Sequence, residues 1–345
     1  MKLLTILIPC YNSEEYLATL LDSLLFGYEE YLDIIIVNDG STDNTSKIAH
    51  QYEANHPSVI SAIDSPNKGH GSAINIGIKN AKGLYFKVLD SDDYLAKDAL
   101  IYLLNNIKKN YETNSMTDVY LNDYVTLNVK TNETKIISIN KKYIKEYDKL
   151  LDVSCFNKIG FYDSYIVHMF TLNTKFLLNI NVKLLEHTFY EDNQFAIYII
   201  KNFRNYIYLS KPLYYYRVNR VGQSVSLENV YKNYTHQLRV MKSIVDILPY
   251  EEYKDLNKVN KYHIKHALVI YNYLTYFYIY IKPYKEKTKA YKEYLSYFKN
   301  TNKKLYRIYK YHTICFYLHM IPPFLRGFIT KLSYISVGKK KGWVF

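Results

Sequence analysis

Four apolar runs near the start of the chain constrain its fold more than any other feature. Leu3–Pro9, Leu32–Val37, Val59–Ile63 and Tyr85–Leu89 each have the length and apolar content of a buried strand. Helix-opening signals stand between them. Ser13-Glu14-Glu15 leads an apolar-periodic stretch to about Phe26, Ser41-Thr42-Asp43 leads one to Asn55, and Gly69-His70-Gly71-Ser72 leads one to Ala81. Apolar strands alternating with helices predict an α/β domain with a mostly parallel sheet covered on both faces. Ligands of such sheets bind beyond the carboxyl ends of the strands. Polar residues stand at those ends: Tyr11 and Asn12, Asp39, Lys68, and Asp90 with Asp92.

The fourth strand end is the most loaded. Asp90-Ser91-Asp92-Asp93 holds three carboxylates in four positions, which repel unless a cation or hydrogen-bond donors offset them. Asp90 and Asp92 share one face of an extended backbone and can converge on one ion where the chain turns. Hard oxygen ligands suit Mg²⁺ or Mn²⁺, held by one or two carboxylates plus substrate phosphates. By itself, the stretch reads equally well as an acidic turn followed by a helix cap, the role expected of Asp93.

With 48% hydrophobic and 22% charged residues, the 345-residue chain is a folded protein, not a disordered one. Its three scattered cysteines suggest neither a disulfide framework nor a metal site. The apolar start is too short for a secretory leader, so the cytoplasm is the expected compartment. The 41 tyrosines, with abundant Lys, Asn and Ile, are explained at this level by AT-rich coding. The net charge of +13 is uneven: −5 over residues 1–150, +2 over 151–229 and +16 over 230–345. A basic region favours anionic lipid, nucleic acid or a phosphorylated acceptor. No nucleic-acid-binding motif accompanies it, so nucleic acid is not an expected partner.

The sequence carries a resemblance as well. Ile8-Pro9-Cys10-Tyr11-Asn12, Val37-Asn38-Asp39-Gly40-Ser41-Thr42-Asp43 and Leu89-Asp90-Ser91-Asp92-Asp93 are similar, in order and spacing, to the N-terminal signatures of the family 2 glycosyltransferases. Asn67-Lys68-Gly69 with Ser72-Ala73 and Asn75 resembles a further family segment, although Ile74 stands where many members have Arg. Tyr190-Glu191-Asp192 and Leu213-Tyr214-Tyr215-Tyr216-Arg217 with Gly222-Gln223-Ser224-Val225-Ser226 fit too, the last as in a bacterial branch making surface glycans. The resemblance covers roughly residues 1–226.

It implies an inverting enzyme with a GT-A nucleotide-sugar-binding domain over 1–228, followed by a helical, basic, Tyr-rich region over 229–345. It implies a UDP-sugar donor with Mn²⁺ or Mg²⁺, and a glycan, lipid-linked or protein-linked acceptor. Asp39 would accept from the uracil, Tyr11 would pack on the base beside Pro9, Asn12 and Glu14, and Lys68 with Gly69 would approach phosphates. Asp92 would be the main metal ligand. Asp90 would position the ribose or the ion, with Ser91 between them. Asp192 would be the general base, oriented by Glu191, and its competing reading is a helix cap. Arg217 and Arg220 would bind phosphate, and Gln223-Ser224 would lie on a loop closing over the donor. His168 would line the acceptor pocket or pack in the core.

Two other functions compete: an inactive scaffold of the same fold, and a sugar nucleotidyltransferase. The latter usually carries a glycine-rich basic loop where this chain has Cys10-Tyr11-Asn12-Ser13-Glu14. In the basic region, Ala267–Ile281 and Tyr311–Leu325 are uncharged runs of 15 residues, short of the roughly 20 a spanning helix needs. Pro322-Pro323 breaks the second, and Arg326, Lys331 and Lys339-Lys340-Lys341 follow. These runs suit a helix in the interface of an anionic membrane, which would place the protein at the inner face of the cell membrane. They also suit stripes packed on the catalytic domain or on a second subunit of a homo-oligomer.

Overall fold

A computed structural model describes residues 1–139, 146–156, 165–219, 232–280 and 285–311, with isolated residues and short pieces elsewhere up to 336. Two compact units interleave along the chain. One comprises Met1–Phe156, Ile166–Thr188 and Phe203–Arg217; the other comprises Asn157–Tyr165, Phe189–Asn202 and Val218–Phe345.

The first unit opens with β1 (Leu4–Cys10), α1 (Leu17–Leu24), β2 (Leu32–Asp39), α2 (Thr45–Asn55), β3 (Ile60–Ser65), α3 (His70–Asn80) and β4 (Tyr85–Val88). These form parallel neighbours in the order β3-β2-β1-β4. All of β1 and β2 is buried, as strands sandwiched between helices require. The chain continues through β5 (Tyr94–Leu95), α4 (Lys97–Glu112), β6 (Val119–Leu121), β7 (Tyr124–Asn128), β8 (Thr134–Ile137), β9 (Leu150–Asp152), β10 (Phe170–Asn173), α5 (Thr174–Asn179), β11 (Asn205–Tyr208) and β12 (Tyr214–Val218). The large sheet has the order β3-β2-β1-β4-β10-β6-β11-β9, with β10 antiparallel to both neighbours. A smaller sheet has the order β5-β12-β7-β8.

Several boundaries differ from the sequence pattern, and two of them have a clear physical reason. Helix α1 begins at Leu17 rather than Ser13, because residues 12–14 are engaged with the loop after β2. Ser13 N–H donates to Thr45 Oγ1 at 2.7 Å, and Glu14 N–H donates to Asp43 Oδ2 at 3.1 Å. Strand β2 runs to Asp39 rather than Val37, since Asn38 and Asp39 continue in register with Asp64 and Ser65 of β3.

The second unit is helical. It contains α6 (Glu191–Asn202), α7 (Tyr234–Asp246), α8 (Tyr250–Asp255), α9 (Lys258–Tyr280), α10 (Lys285–Thr301) and α11 (Lys303–Tyr311). Tyrosine builds much of its core: Tyr271, Tyr276, Tyr291 and Tyr294 are at most 1% exposed. Tyr276 stacks on Tyr280 at 4.3 Å, and Tyr291 packs against both. The uncharged stretch from Ala267 to Tyr280 is therefore packed against protein within α9. No helix among the described residues is long and apolar enough to cross a membrane. Most of Tyr311–Leu325, and all of Lys339–Lys341, lie outside the described residues.

Candidate active site

The carboxyl ends of β1, β2 and β4 and the loop after β3 meet at one edge of the first unit, held by a dense set of hydrogen bonds. Asn12, with φ of 50°, donates its N–H to Ser41 Oγ at 2.9 Å and accepts Thr42 N–H on Oδ1 at 2.8 Å. Glu14 accepts from the backbone and side-chain nitrogens of Asn44 at 2.9 and 2.7 Å. These bonds brace the first loop against the second. Pro9 is buried inside β1, whereas the Tyr11 ring stands 53% exposed just beyond that strand. Tyr11 is thus not core, and its ring is accessible to a flat ligand.

Asp39, 4% exposed, does not cap α2. Its Oδ1 accepts Lys68 N–H at 2.8 Å and its Oδ2 accepts Gly69 N–H at 2.7 Å. Gly69 has φ of +90°, which an L side chain rarely adopts, and this conformation turns both amides toward one carboxylate. The Lys68 ammonium lies 3.6 Å from Glu186 Oε2, an exposed pair with little energetic weight.

The acidic turn after β4 is anchored by a strand that arrives much later in the chain. The Tyr214 hydroxyl donates to Asp93 Oδ2 at 2.7 Å and accepts Asp90 N–H at 3.1 Å. Arg217 N–H donates to Asp93 Oδ1 at 2.8 Å. The Arg217 guanidinium donates to the Asp92 carbonyl at 2.7 Å and lies 5.2 Å from the Tyr94 ring centre. Ser91 and Ser13 share a hydroxyl–hydroxyl bond of 2.7 Å, tying this turn to the first loop. Asp93 is therefore a buried anchor and not the helix cap its position suggests: β5 intervenes, and α4 starts at Lys97 without a side-chain cap. Burial, then the charge of Asp90, pushes the Asp93 carboxyl well above the usual carboxylate range.

Asp90 also meets His70, whose Nε2 lies 3.1 Å from Asp90 Oδ1. Below the turn, the His168 ring is 7% exposed and stacks on Tyr214 at 4.2 Å. Its Nδ1 is buried and makes no hydrogen bond. Burial holds the imidazole pKa down at about 4, so it is neutral near pH 7. The ring is thus buried directly beneath the acidic turn. Lys87, 1% exposed, donates to the carbonyls of His168 and Phe170 at 2.9 and 3.2 Å.

A divalent cation fits this set. Asp90, Asp93 and His168 each offer a ligand atom, all within 4.8 Å of one another. The two carboxylates suit Mg²⁺ or Mn²⁺, whereas the imidazole suits a transition metal such as Mn²⁺ better than Mg²⁺. Asp92, the ligand favoured by the sequence, is not one of these three.

Glu191 and Asp192 open α6 in the helical unit, where acids are favoured by the helix dipole. Glu191 is buried at 3% exposure. Burial, and then the charge of Asp192, keeps the Tyr271 hydroxyl of the same unit protonated. Arg220, Gln223 and Ser224 lie outside the described residues.

Residues 5–170 match the profile of Glycosyl transferase family 2. They form a glycosyl transferase family 2 domain. Bacterial proteins are similar over parts of the chain. A stretch of 122 residues is 38% identical to a chondroitin synthase of Escherichia coli, covering 34% of this chain and 18% of that protein. A stretch of 227 residues is 28% identical to glycosyltransferase GlyA of Streptococcus pneumoniae, covering 63% of this chain and 31% of that one. The chain spans less than half the length of these relatives.

Among solved structures, S. aureus TarS 1-349 in complex with UDP-GlcNAc superposes with a TM-score of 0.61 at 20% identity, over 100% of this chain and 93% of that one. The mannosyltransferase PcManGT from Pyrobaculum calidifontis, in complex with GDP-Man and Mn²⁺, gives 0.51 at 14% identity over 99% and 87%. The family 2 domain thus sits in a GT-A-like α/β fold with a large mixed sheet and a helical C-terminal region. Against that background, His70 and Tyr214 are the site residues that motif reading missed. His70 was hidden inside a glycine-rich helix start, and Tyr214 inside an aromatic strand far from the acidic turn in sequence.

Proposed function

We propose that this chain is an inverting glycosyltransferase that moves a sugar from a UDP-sugar to a hydroxyl of a glycan or lipid-linked acceptor. The observation that carries the reading is the meeting of Asp39 and the Asp90–Asp93 turn at one strand edge of a family 2 domain. Asp39 holds the 68–69 loop and keeps acceptor capacity for the uracil N3–H. The exposed Tyr11 ring supplies a face for the base. Asp90, with Asp92 or with Asp93 and His168, would hold the divalent ion. That ion, when bound, neutralises charge developing on the departing diphosphate.

In this reading Asp192 removes the acceptor hydroxyl proton as that oxygen attacks the anomeric carbon, and Glu191 orients it. Direct displacement opposite the diphosphate converts an α-linked donor into a β-linked product. The test is release of UDP from a panel of UDP-sugars with Mn²⁺ present. Asp192→Asn is expected to lower transfer by about 10²–10⁴-fold while calorimetric UDP binding persists. Undiminished transfer in this variant removes Asp192 as the base. Absence of UDP binding to the wild type favours the scaffold reading, and pyrophosphate release from UTP and a sugar phosphate favours the nucleotidyltransferase.

We also propose peripheral attachment at the inner membrane face, on the strength of the +16 charge of residues 230–345 and the exposed Phe328 and Leu332. Flotation with anionic liposomes should decline on removal of residues 311–345; equal flotation of both forms rejects the tail as the anchor.

A further inference from the structure

Immediately before Glu191 and Asp192 the helical unit presents an aromatic ring to solvent. Phe189 is 45% exposed. Its neighbour Tyr190 is 9% exposed and packs on Tyr278 of α9 with ring centres 5.3 Å apart. Tyr190 has φ of 70°, in the left-handed region that bulky L residues rarely enter. Asn193 fixes the Tyr190 carbonyl through its N–H and its side-chain amide at 3.2 and 3.1 Å. The consequence of this conformation is that one ring of the pair enters the core and the other faces water.

A single exposed aromatic residue is ordinary on a protein surface. Phe189 differs because it is clamped. Its ring stacks on His236 of α7 with centres 5.3 Å apart and planes 29° apart. Its N–H donates to His236 Nδ1 at 3.1 Å. That bond makes Nδ1 the acceptor, so the neutral imidazole carries its proton on Nε2 as a donor. Burial and the Arg239 charge lower the His236 pKa, which keeps the ring neutral. The result is a rigid apolar face beside a fixed N–H donor, adjoining the proposed base.

We propose that Phe189 and His236 form the platform on which a pyranose ring of the acceptor glycan stacks. The C–H-rich face of a pyranose is weakly positive and apolar, matching the negative face of the Phe189 ring. Its hydroxyls are acceptors for a fixed imidazole N–H. The acceptor, rather than the donor, is the occupant because a general base must lie within hydrogen-bond reach of the hydroxyl it deprotonates. Only three positions separate Phe189 from Asp192. The inference rests on the glycosyltransferase reading and adds a substrate class and a binding surface to it.

The test compares wild type, Phe189→Ala and Phe189→Trp with the UDP-sugar the wild type turns over and a saccharide acceptor. Three quantities are read: UDP-sugar hydrolysis without acceptor, acceptor KM and transfer kcat. Phe189→Ala is expected to raise acceptor KM about five- to tenfold with hydrolysis and kcat unchanged, the pattern of lost uniform binding. Phe189→Trp is expected to restore KM. An unchanged acceptor KM in Phe189→Ala, with hydrolysis intact, overturns the proposal and leaves the glycosyltransferase reading standing.

If the wild type turns over no UDP-sugar, that reading fails, and titration of the ¹³C-Phe-labelled protein decides the platform separately. Chitobiose or lactose should shift the Phe189 ring resonances, while the ringless polyol glycerol should not. Equal response to all three, or no response, overturns it.

Discussion

Lys87 shows how far one side chain can be moved from its solution chemistry by position alone. It lies in β4 just below the acidic turn, where its Nζ donates to the carbonyls of His168 and Phe170. Complete burial lowers its pKa from 10.5 to about 7. Between those values the unfolded chain holds the proton and the folded chain releases it, so stability rises with pH across this window. Below about pH 7 the ammonium is buried in both its charge and its bonds, and the contribution is at its least favourable. Lys87→Met has no such proton to lose. Urea denaturation of the two proteins should show the wild type gaining on the variant by on the order of 1 kcal/mol per pH unit above about pH 7. A constant difference between pH 7 and 9.5 would mean that Lys87 is not held neutral at the upper end.

At the scale of elements, the loop between β3 and α3 is shaped by a carboxylate on β2. Asp39 reaches two consecutive amides only because Gly69 adopts a positive φ. A Cβ at Gly69 would also lie 3.3 Å from His187 N. Gly69→Ala is therefore expected to cost about 1–2 kcal/mol in stability and to displace the loop from Asp39. UDP affinity measured by calorimetry with Mn²⁺ should fall about tenfold; unchanged affinity would separate this loop from nucleotide binding. This element was legible in the sequence, because a polar residue at a strand end and a glycine at a helix start are local signals.

The acidic turn was legible only in part. Asp93 precedes a helix in the sequence and reads as its cap, but the two residues of β5 intervene. So short a strand has no periodicity to detect. Its existence depends on pairing with β12, whose Tyr214 and Tyr215 oppose Leu95 and Tyr94 from some 120 positions away. Tyr214 as the anchor of Asp90 and Asp93 follows from that pairing and could not precede it. The His168 position was equally undecided, since a ring stacked under a strand end and a ring lining a pocket have the same local sequence.

For the whole molecule, the 41 tyrosines are readable as composition but not as architecture. The helical unit uses them as bulk apolar residues whose hydroxyls must be accommodated. The accommodation is uneven. Tyr291 donates its hydroxyl to Asn272 Oδ1 at 3.1 Å, whereas the buried Tyr271 hydroxyl makes no hydrogen bond. Burying a hydroxyl without a partner costs free energy that a phenyl ring of the same shape avoids. Tyr271→Phe should therefore leave the thermal midpoint unchanged or raise it. Tyr291→Phe should lower stability by about 1 kcal/mol, because the buried hydroxyl-to-Asn272 hydrogen bond is removed. Thermal and urea unfolding of the two single variants and the double variant distinguish the cases. Were both substitutions to cost the same, the tyrosines of this unit would be a uniform filler; a difference in sign shows that their hydroxyls, and not only their rings, determine how these helices pack.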